Sequence, residues 1–245
     1  CGHRVEEPTS ARPQGFCQTK VTQRRGARWS SADAYLKPKA VRRRKNLTVL
    51  TEATATRVVF AGDRAIGVEF DRKGARTVVT ARREVVLSAG AINTPQLLML
   101  SGIGPAAHLA AHGIAVRVDA PGVGENLQDH LVAGLAPAAR GGTLYGAEKP
   151  AQLARYLSSR RGMLTSNVGE AYGFVKSRPD LDLPDLELIF APAPFFDEAI
   201  GEPYLNHAVV MGPILLTPAS SGVIALRSAD PYDKPLIDPR YLTDP

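Results

Sequence analysis

The sequence predicts an α/β region followed by an α+β region, and three observations carry that assignment. Residues 56–61, 65–70 and 76–80 are β-rich runs joined by turns too short for crossover connections, which makes them an antiparallel meander. Next, Glu84-Val85-Val86-Leu87-Ser88-Ala89-Gly90 is a mostly apolar run that ends in three small residues, the pattern of a strand buried on both faces of a parallel sheet. It leads into Thr94-Pro95-Gln96, an N-cap with Pro at the first helical position, and Gly102 supplies the stop. Strand, small-residue loop and capped helix together form the geometry in which an open α/β sheet binds a nucleotide. Beyond residue 130 strand-like runs outnumber helices and prolines separate them, which reads as α+β.

The other elements follow in order. Residues 1–27 are polar, contain Pro and Gly without a period, and read as irregular surface. Ser30 or Ser31 caps a helix with Asp33 in its first turn, and Pro38 ends or bends it. Residues 47–50 read as a short strand. A helix over 105–112 leads to a short strand at 116–118 and to the turn Pro121-Gly122-Val123-Gly124. A helix over 152–160 and strands over 171–176, 186–191, 208–216 and 222–227 complete the pattern. The change of texture places a boundary near residue 130, giving domains 1–130 and 131–245.

Length and composition bound the function. The 245 residues correspond to roughly one and a half domains of about 150 residues. No run of 18 apolar residues exists, so the sequence predicts no membrane-spanning helix. Two cysteines, Cys1 and Cys17, make no disulfide framework and fit a reducing compartment, the cytoplasm, with peripheral membrane association left open. Charge is uneven: residues 1–83 carry 19 Lys and Arg against 7 Asp and Glu. Its densest run, Arg42-Arg43-Arg44-Lys45, reads as the solvated end of a helix, where cations suit the dipole. No aromatic side chains interleave with it to stack on bases, which argues against a nucleic-acid partner. Both ends look cut, since the chain opens with Cys1 and closes on Asp244-Pro245 after a strand and turn.

Several catalytic patterns are absent or incomplete. There is no Gly-x-Ser-x-Gly elbow, no phosphate loop and no Gly-x-Gly-x-x-Gly run. His108 and His112 stand four apart but lack a third ligand and an intervening general base, so they read as a solvated pair and no metal is expected.

One stretch is specific. Gly90-Ala91-Ile92-Asn93-Thr94-Pro95-Gln96-Leu97-Leu98-Met99-Leu100-Ser101-Gly102-Ile103-Gly104 closely resembles the second signature of the glucose-methanol-choline (GMC) oxidoreductases, flavoenzymes that oxidise alcohols. Residues 26–36, 46–49, 65–70 and 121–130 resemble further blocks of that family in the same order, and residues 218–242 resemble its substrate-domain sheet and turn.

The resemblance implies a partial FAD-binding Rossmann-like domain with an antiparallel meander, followed by a mixed antiparallel substrate-binding domain. It implies FAD as cofactor and a small alcohol as substrate, oxidised at its CH–OH group with hydride transfer to the flavin. Carried over by position, Ala55 lies beside the adenine through its backbone, and a Val is usual there. Ser88, Ala89 and Gly90 flank the ADP half of the cofactor, although small residues also simply allow close helix–strand packing. Asn126 lies near the flavin. Glu170, in Ser166-Asn167-Val168-Gly169-Glu170, resembles a substrate-facing carboxylate of alcohol and choline dehydrogenases; the alternative is a surface Glu at a strand edge. The family's dinucleotide loop is missing and its catalytic histidine is expected beyond Pro245, so this chain reads as an internal fragment, inactive alone. His207 is read as surface or core. A non-catalytic binding or assembly module of the same fold is the alternative reading.

Overall fold

The computed structural model describes residues 4–193 and 206–244. Thirteen strands are β1 Gly15–Gln18, β2 Gln23–Arg24, β3 Ala27–Arg28, β4 Thr54–Ala61, β5 Arg64–Arg72, β6 Ala75–Thr80, β7 Ile103–Gly104, β8 Val118–Asp119, β9 Ala171–Val175, β10 Leu186–Ala191, β11 Val210–Leu215, β12 Val223–Ala225 and β13 Leu236–Asp238. Four helices are α1 Lys39–Arg42, α2 Gly90–Leu100, α3 Ala106–Ala111 and α4 Pro150–Ser159. Among the described residues no helix is long and apolar enough to cross a membrane.

These elements form two compact units that interleave along the chain: residues 1–47 with 130–217, and residues 48–129 with 218–245. Consecutive halves, 1–130 and 131–245, are therefore not how the chain packs. In the first unit the sheet takes β1 from a sequence-distant segment, because a short sheet gains stability by adding a strand that fits its edge; in the second, the distant strands β12 and β13 pair with each other.

In the first unit, β1-β9-β10-β11 form an antiparallel sheet with Cys17 opposite Tyr172 and Glu187 opposite Phe174. β1 comes from the segment whose composition reads as irregular. Gly15-Phe16-Cys17-Gln18 is short, and an edge strand needs only one partner, here β9, to order it. The expected helix after Ser30 is a five-residue π-turn, Ala32–Leu36, followed by α1. Ser30 and Asp33 cap each other: the Asp33 amide donates to Ser30 Oγ (3.2 Å), and the Ser30 amide donates to the Asp33 carboxylate (2.9 Å). Lys37 and Ser30 together hold the Asp33 carboxyl well below the usual carboxylate range. The basic run at 42–45 sits exposed at the end of α1. Cys17 is free and half-buried, while Cys1 and Pro194 lie outside the described residues.

In the second unit, β4-β5-β6 form the expected meander. A bulge between Ala55 and Arg57 breaks its alternation and buries Thr56, whose hydroxyl donates to Glu69 Oε1 at 2.8 Å. That hydroxyl, and then Arg57 at 2.8 Å, holds the Glu69 carboxyl below its ordinary range. α2 is anchored to β4 through Ser101, whose Oγ accepts from the Val58 amide (2.8 Å) and donates to the Leu97 carbonyl (2.6 Å). Met99, Leu109 and Leu226 form the buried core, with Leu100, Ile114 and Val123 against it.

Three sequence expectations fail here. Residues 47–50 are exposed coil. Residues 84–88 belong to no strand or helix and join no ladder of the described residues; Val86 is 74% exposed, while Val85 and Leu87 are half-buried. Finally, α2 begins at Gly90 and not at Thr94, with Pro95 inside it and no side-chain cap. As a proline, Pro95 donates no amide hydrogen bond to the Ala91 carbonyl four residues before it. Leu87 lies outside any assigned element and Thr94 within α2, so they do not share a helix. Among the described residues β7 and β8 form a parallel strand pair.

His108 is not merely solvated. Its Nε2 accepts the Leu226 amide at 3.0 Å, and its ring meets His112 edge-on at 4.7 Å. Burial, and then the neighbouring His112, lowers its pKa from 6.5. A depressed histidine favours the neutral folded form, so above pH 6.5 neither state is charged and stability is complete. Below that, the unfolded chain takes up the proton first and stability falls. Stability is therefore expected to fall as the pH drops below 6.5. Thermal melts of the wild type and His108→Gln, which keeps an acceptor without titrating there, check it: the drop should be absent from the variant.

Candidate cofactor and substrate clefts

Two clefts of the second unit lie against different faces of α2. The first, of about 310 Å³, is formed by Ala53, Thr54 and Ala55 at the head of β4, by Ala89, and by the α2 side chains Asn93, Gln96, Leu97 and Leu100. The spacing 93, 96, 97, 100 is one helical face. Ala55 and Ala89 are thus brought together although 34 positions apart in sequence. Gln96 is buried and its amide donates to the Asp233 carbonyl at 2.8 Å, closing the far wall beside Pro231. Ser88 and Gly90 are exposed next to the cleft without lining it. Gly90 has φ +86°, and a Cβ there would meet nothing within 4 Å. Tight helix–strand packing therefore does not explain this small residue; the helix-opening turn does.

The second cleft, of about 520 Å³, lies between Ala91, Thr94, Pro95 and Leu98 of α2 and the loop 122–128. That loop is zipped onto β12 and the residue before it. The Ile224 amide donates to the Gly124 carbonyl (2.7 Å), and Leu127 and Gly222 exchange both backbone bonds (2.9 and 2.7 Å). Gly124 has φ +89°, and a Cβ on it would stand 2.1 Å from the Ile224 carbonyl oxygen. Asn126, at φ +61°, takes the left-handed conformation that Asn tolerates and lines this cleft, not the one holding Ala55 and Ala89. Tyr241 donates its hydroxyl to the Asp129 carboxylate, and this carboxylate raises the phenol's pKa.

Glu170 belongs to the first unit, in a cleft of about 530 Å³ with Thr19, Gln23, Thr143, Met163 and Ser166. It is half-buried, one residue before β9. Its Oε1 accepts from Ser166 Oγ at 2.6 Å, and its main-chain carbonyl accepts the Thr19 amide at 2.9 Å. Thr19 Oγ1 is shielded from water and has no hydrogen-bond partner among the described residues. Among the described residues Glu170 is the one charged side chain lining this cleft. On its wall the Thr143 hydroxyl is buried and bonded to His207 Nδ1 at 2.7 Å, so His207 is tied into the fold.

Sequence reasoning missed Asn93, Gln96, Thr19 and Ser166. The first two carry a signal, polar residues three apart within an apolar helix; Thr19 and Ser166 carry none, since only the fold brings them to Glu170. Glu187, mid-strand in β10, is also half-buried, and burial pushes its carboxyl pKa up while the His130 charge opposes the shift.

The family model described as GMC oxidoreductase matches residues 2–132. An uncharacterised GMC-type oxidoreductase of Mycobacterium tuberculosis is 65% identical over 244 residues, covering 100% of this chain and 46% of the relative. The alcohol dehydrogenase [acceptor] of Pseudomonas putida is 47% identical, covering 94% of this chain and 42% of its own. The crystal structure of pyridoxine 4-oxidase from Mesorbium loti superposes with a TM-score of 0.84 at 30% identity, covering 99% of this chain and 45% of that one. The chain thus spans about half the length of the curated relatives it matches. With its specific signature on α2 and its meander beside it, the chain belongs to the GMC oxidoreductases, a family of FAD enzymes.

Proposed function

We propose that this chain supplies the adenosine-side wall of an FAD site and a substrate-facing carboxylate to an enzyme that oxidises an alcohol. The observation that carries the reading is the cleft of about 310 Å³ in which Ala55 and Ala89 meet beneath Asn93 and Gln96. Its size lies at the lower end of the range for ligand pockets, and its wall at 53–55 and 89 is of small side chains, with backbone within reach of a flat ring. Asn93 and Gln96 add amide groups able to exchange hydrogen bonds with a base. The residues present therefore fit the adenosine half of the cofactor. Asn126, on the loop clamped to β12, supports the flavin-proximal side. Bound FAD would supply the hydride acceptor.

Glu170 supports the substrate assignment. A lone carboxylate in a cleft with no cationic lining residue accepts an alcohol hydroxyl or faces an ammonium group, and it disfavours anions. The unpartnered Thr19 hydroxyl beside it offers a second polar contact. Free, half-buried Cys17 supports a reducing compartment, the cytoplasm.

The test uses this chain joined to the remaining segments of the 65% identical Mycobacterium relative, hereafter the completed enzyme. With 1-octanol as substrate and phenazine methosulfate as acceptor, Glu170→Gln should raise KM about tenfold and leave kcat within about threefold, the signature of a lost binding contact. An unchanged KM would remove Glu170 from the substrate site.

A further inference from the structure

We infer that Ser166 is a positioning residue: its single hydroxyl holds Val168 in the left-handed region and at the same time fixes the Glu170 carboxylate on the cleft wall. The inference rests on the reading of Glu170 as the substrate-facing group.

It starts from a backbone outlier. Val168 has φ +72° and is the one β-branched residue among the described residues with positive φ. Its Cβ substituents crowd the backbone there, which makes this a conformation the surroundings must impose. Apolar packing does not impose it, since Val168 remains 39% exposed. Hydrogen bonds do. Ser166 Oγ accepts the Val168 amide at 3.0 Å, Asn167 Nδ2 donates to the Gly169 carbonyl at 2.8 Å, and the Gly169 amide donates to the Asn167 carbonyl at 3.0 Å. Beneath the loop Ile189 leaves little room, as a Cβ on Gly169 would lie 3.2 Å from its Cδ1.

The same oxygen faces the functional group. A serine hydroxyl can accept one hydrogen bond while donating another, and Ser166 Oγ does both, donating to Glu170 Oε1 at 2.6 Å. The donated bond is charge-assisted, so it is the stronger and more directional of the two. It occupies one carboxylate oxygen and leaves the other without a protein hydrogen bond among the described residues, open to a substrate hydroxyl. The Thr19 amide bond to the Glu170 carbonyl pins the main chain behind it. Strain at Val168 is thus coupled to carboxylate orientation through one atom: removing that atom releases both.

Two measurements test this. In the 245-residue chain, Cα and Cβ chemical shifts and the amide–Hα coupling of Val168 report its backbone. Ser166→Ala should move Val168 out of the left-handed region, and Ser166→Thr, which keeps the hydroxyl, should retain it. In the completed enzyme with 1-octanol, Ser166→Ala should raise KM roughly fivefold to tenfold with kcat within about twofold, and Ser166→Thr should restore KM. The double variant Ser166→Ala/Glu170→Gln should be no worse than Glu170→Gln alone, because Ser166 acts only through that carboxylate. The inference is overturned if Val168 keeps its conformation in Ser166→Ala, or if Ser166→Ala leaves KM unchanged while Glu170→Gln raises it. A Glu170→Gln variant with unaltered KM, alongside a released Val168, sinks the substrate reading and leaves the hold of Ser166 on the loop standing.

Discussion

Gly124→Ala should destabilise the second unit by about 4 kcal/mol. Two effects add. At φ +89° an L side chain meets its own backbone, at about 1–2 kcal/mol. The new Cβ would also stand 2.1 Å from the Ile224 carbonyl oxygen, so loop and β12 must separate. That separation breaks the 2.7 Å bond from the Ile224 amide and disturbs the exchanged pair between Leu127 and Gly222, at about 1 kcal/mol for each bond lost. For a unit of this size the melting temperature should fall by roughly 15 °C. Gly122→Ala is the control, because Gly122 has nothing within 4 Å of an added Cβ. Equal melting temperatures for the two variants would show that the loop is not held by this close approach. Loss of Asn126 from its place should accompany the unfolding, since Asn126 lies between the two clamped positions.

Ala89→Leu should weaken FAD retention in the completed enzyme by about a hundredfold or more. Ala89 and Ala55 both line a cleft of about 310 Å³, and on the proposed reading a leucine there would fill space that the adenine ring takes. A ligand displaced from its contacts by even 2–3 kcal/mol loses that much affinity. Flavin absorbance per protein after gel filtration, together with displacement of FAD by ADP, measures the effect. Ser88→Leu is the matched control: the neighbouring residue is exposed and does not line the cleft, so it should retain flavin. Should Ser88→Leu and Ala89→Leu lose flavin equally, the cofactor does not use this wall.

These variants also mark how far the sequence could be read. The meander was legible because its turns, Gly62-Asp63 and Lys73-Gly74, are too short for anything but antiparallel neighbours. The helix carrying the family signature was legible as a helix, yet its first residue is Gly90 and not Pro95, five positions later. Pro95 resembled a first-turn proline, and nothing local shows that the helix begins before it. The run 84–90 was read from composition as a buried strand, and composition cannot say whether neighbours stand beside it. β1 was invisible for the converse reason: Gly15–Gln18 has weak propensity and is ordered by β9, more than 150 residues away.

The same division holds at the clefts. Ala55, Ala89 and Glu170 were singled out by the resemblance to the family's blocks, position by position. Their surroundings were not accessible in that way. Asn126 proved to line a cleft separate from that of Ala55, because the helix between them has two faces. Ser166 and Thr19 reach Glu170 through a loop turn and a strand pairing that no local pattern encodes. By itself the amino-acid order determined the family, the meander and the chemistry of a few side chains, all set by short-range sterics and residue type. Only the tertiary structure decided which of them share a cavity and which backbone is held under strain, because those depend on contacts between segments far apart in the chain.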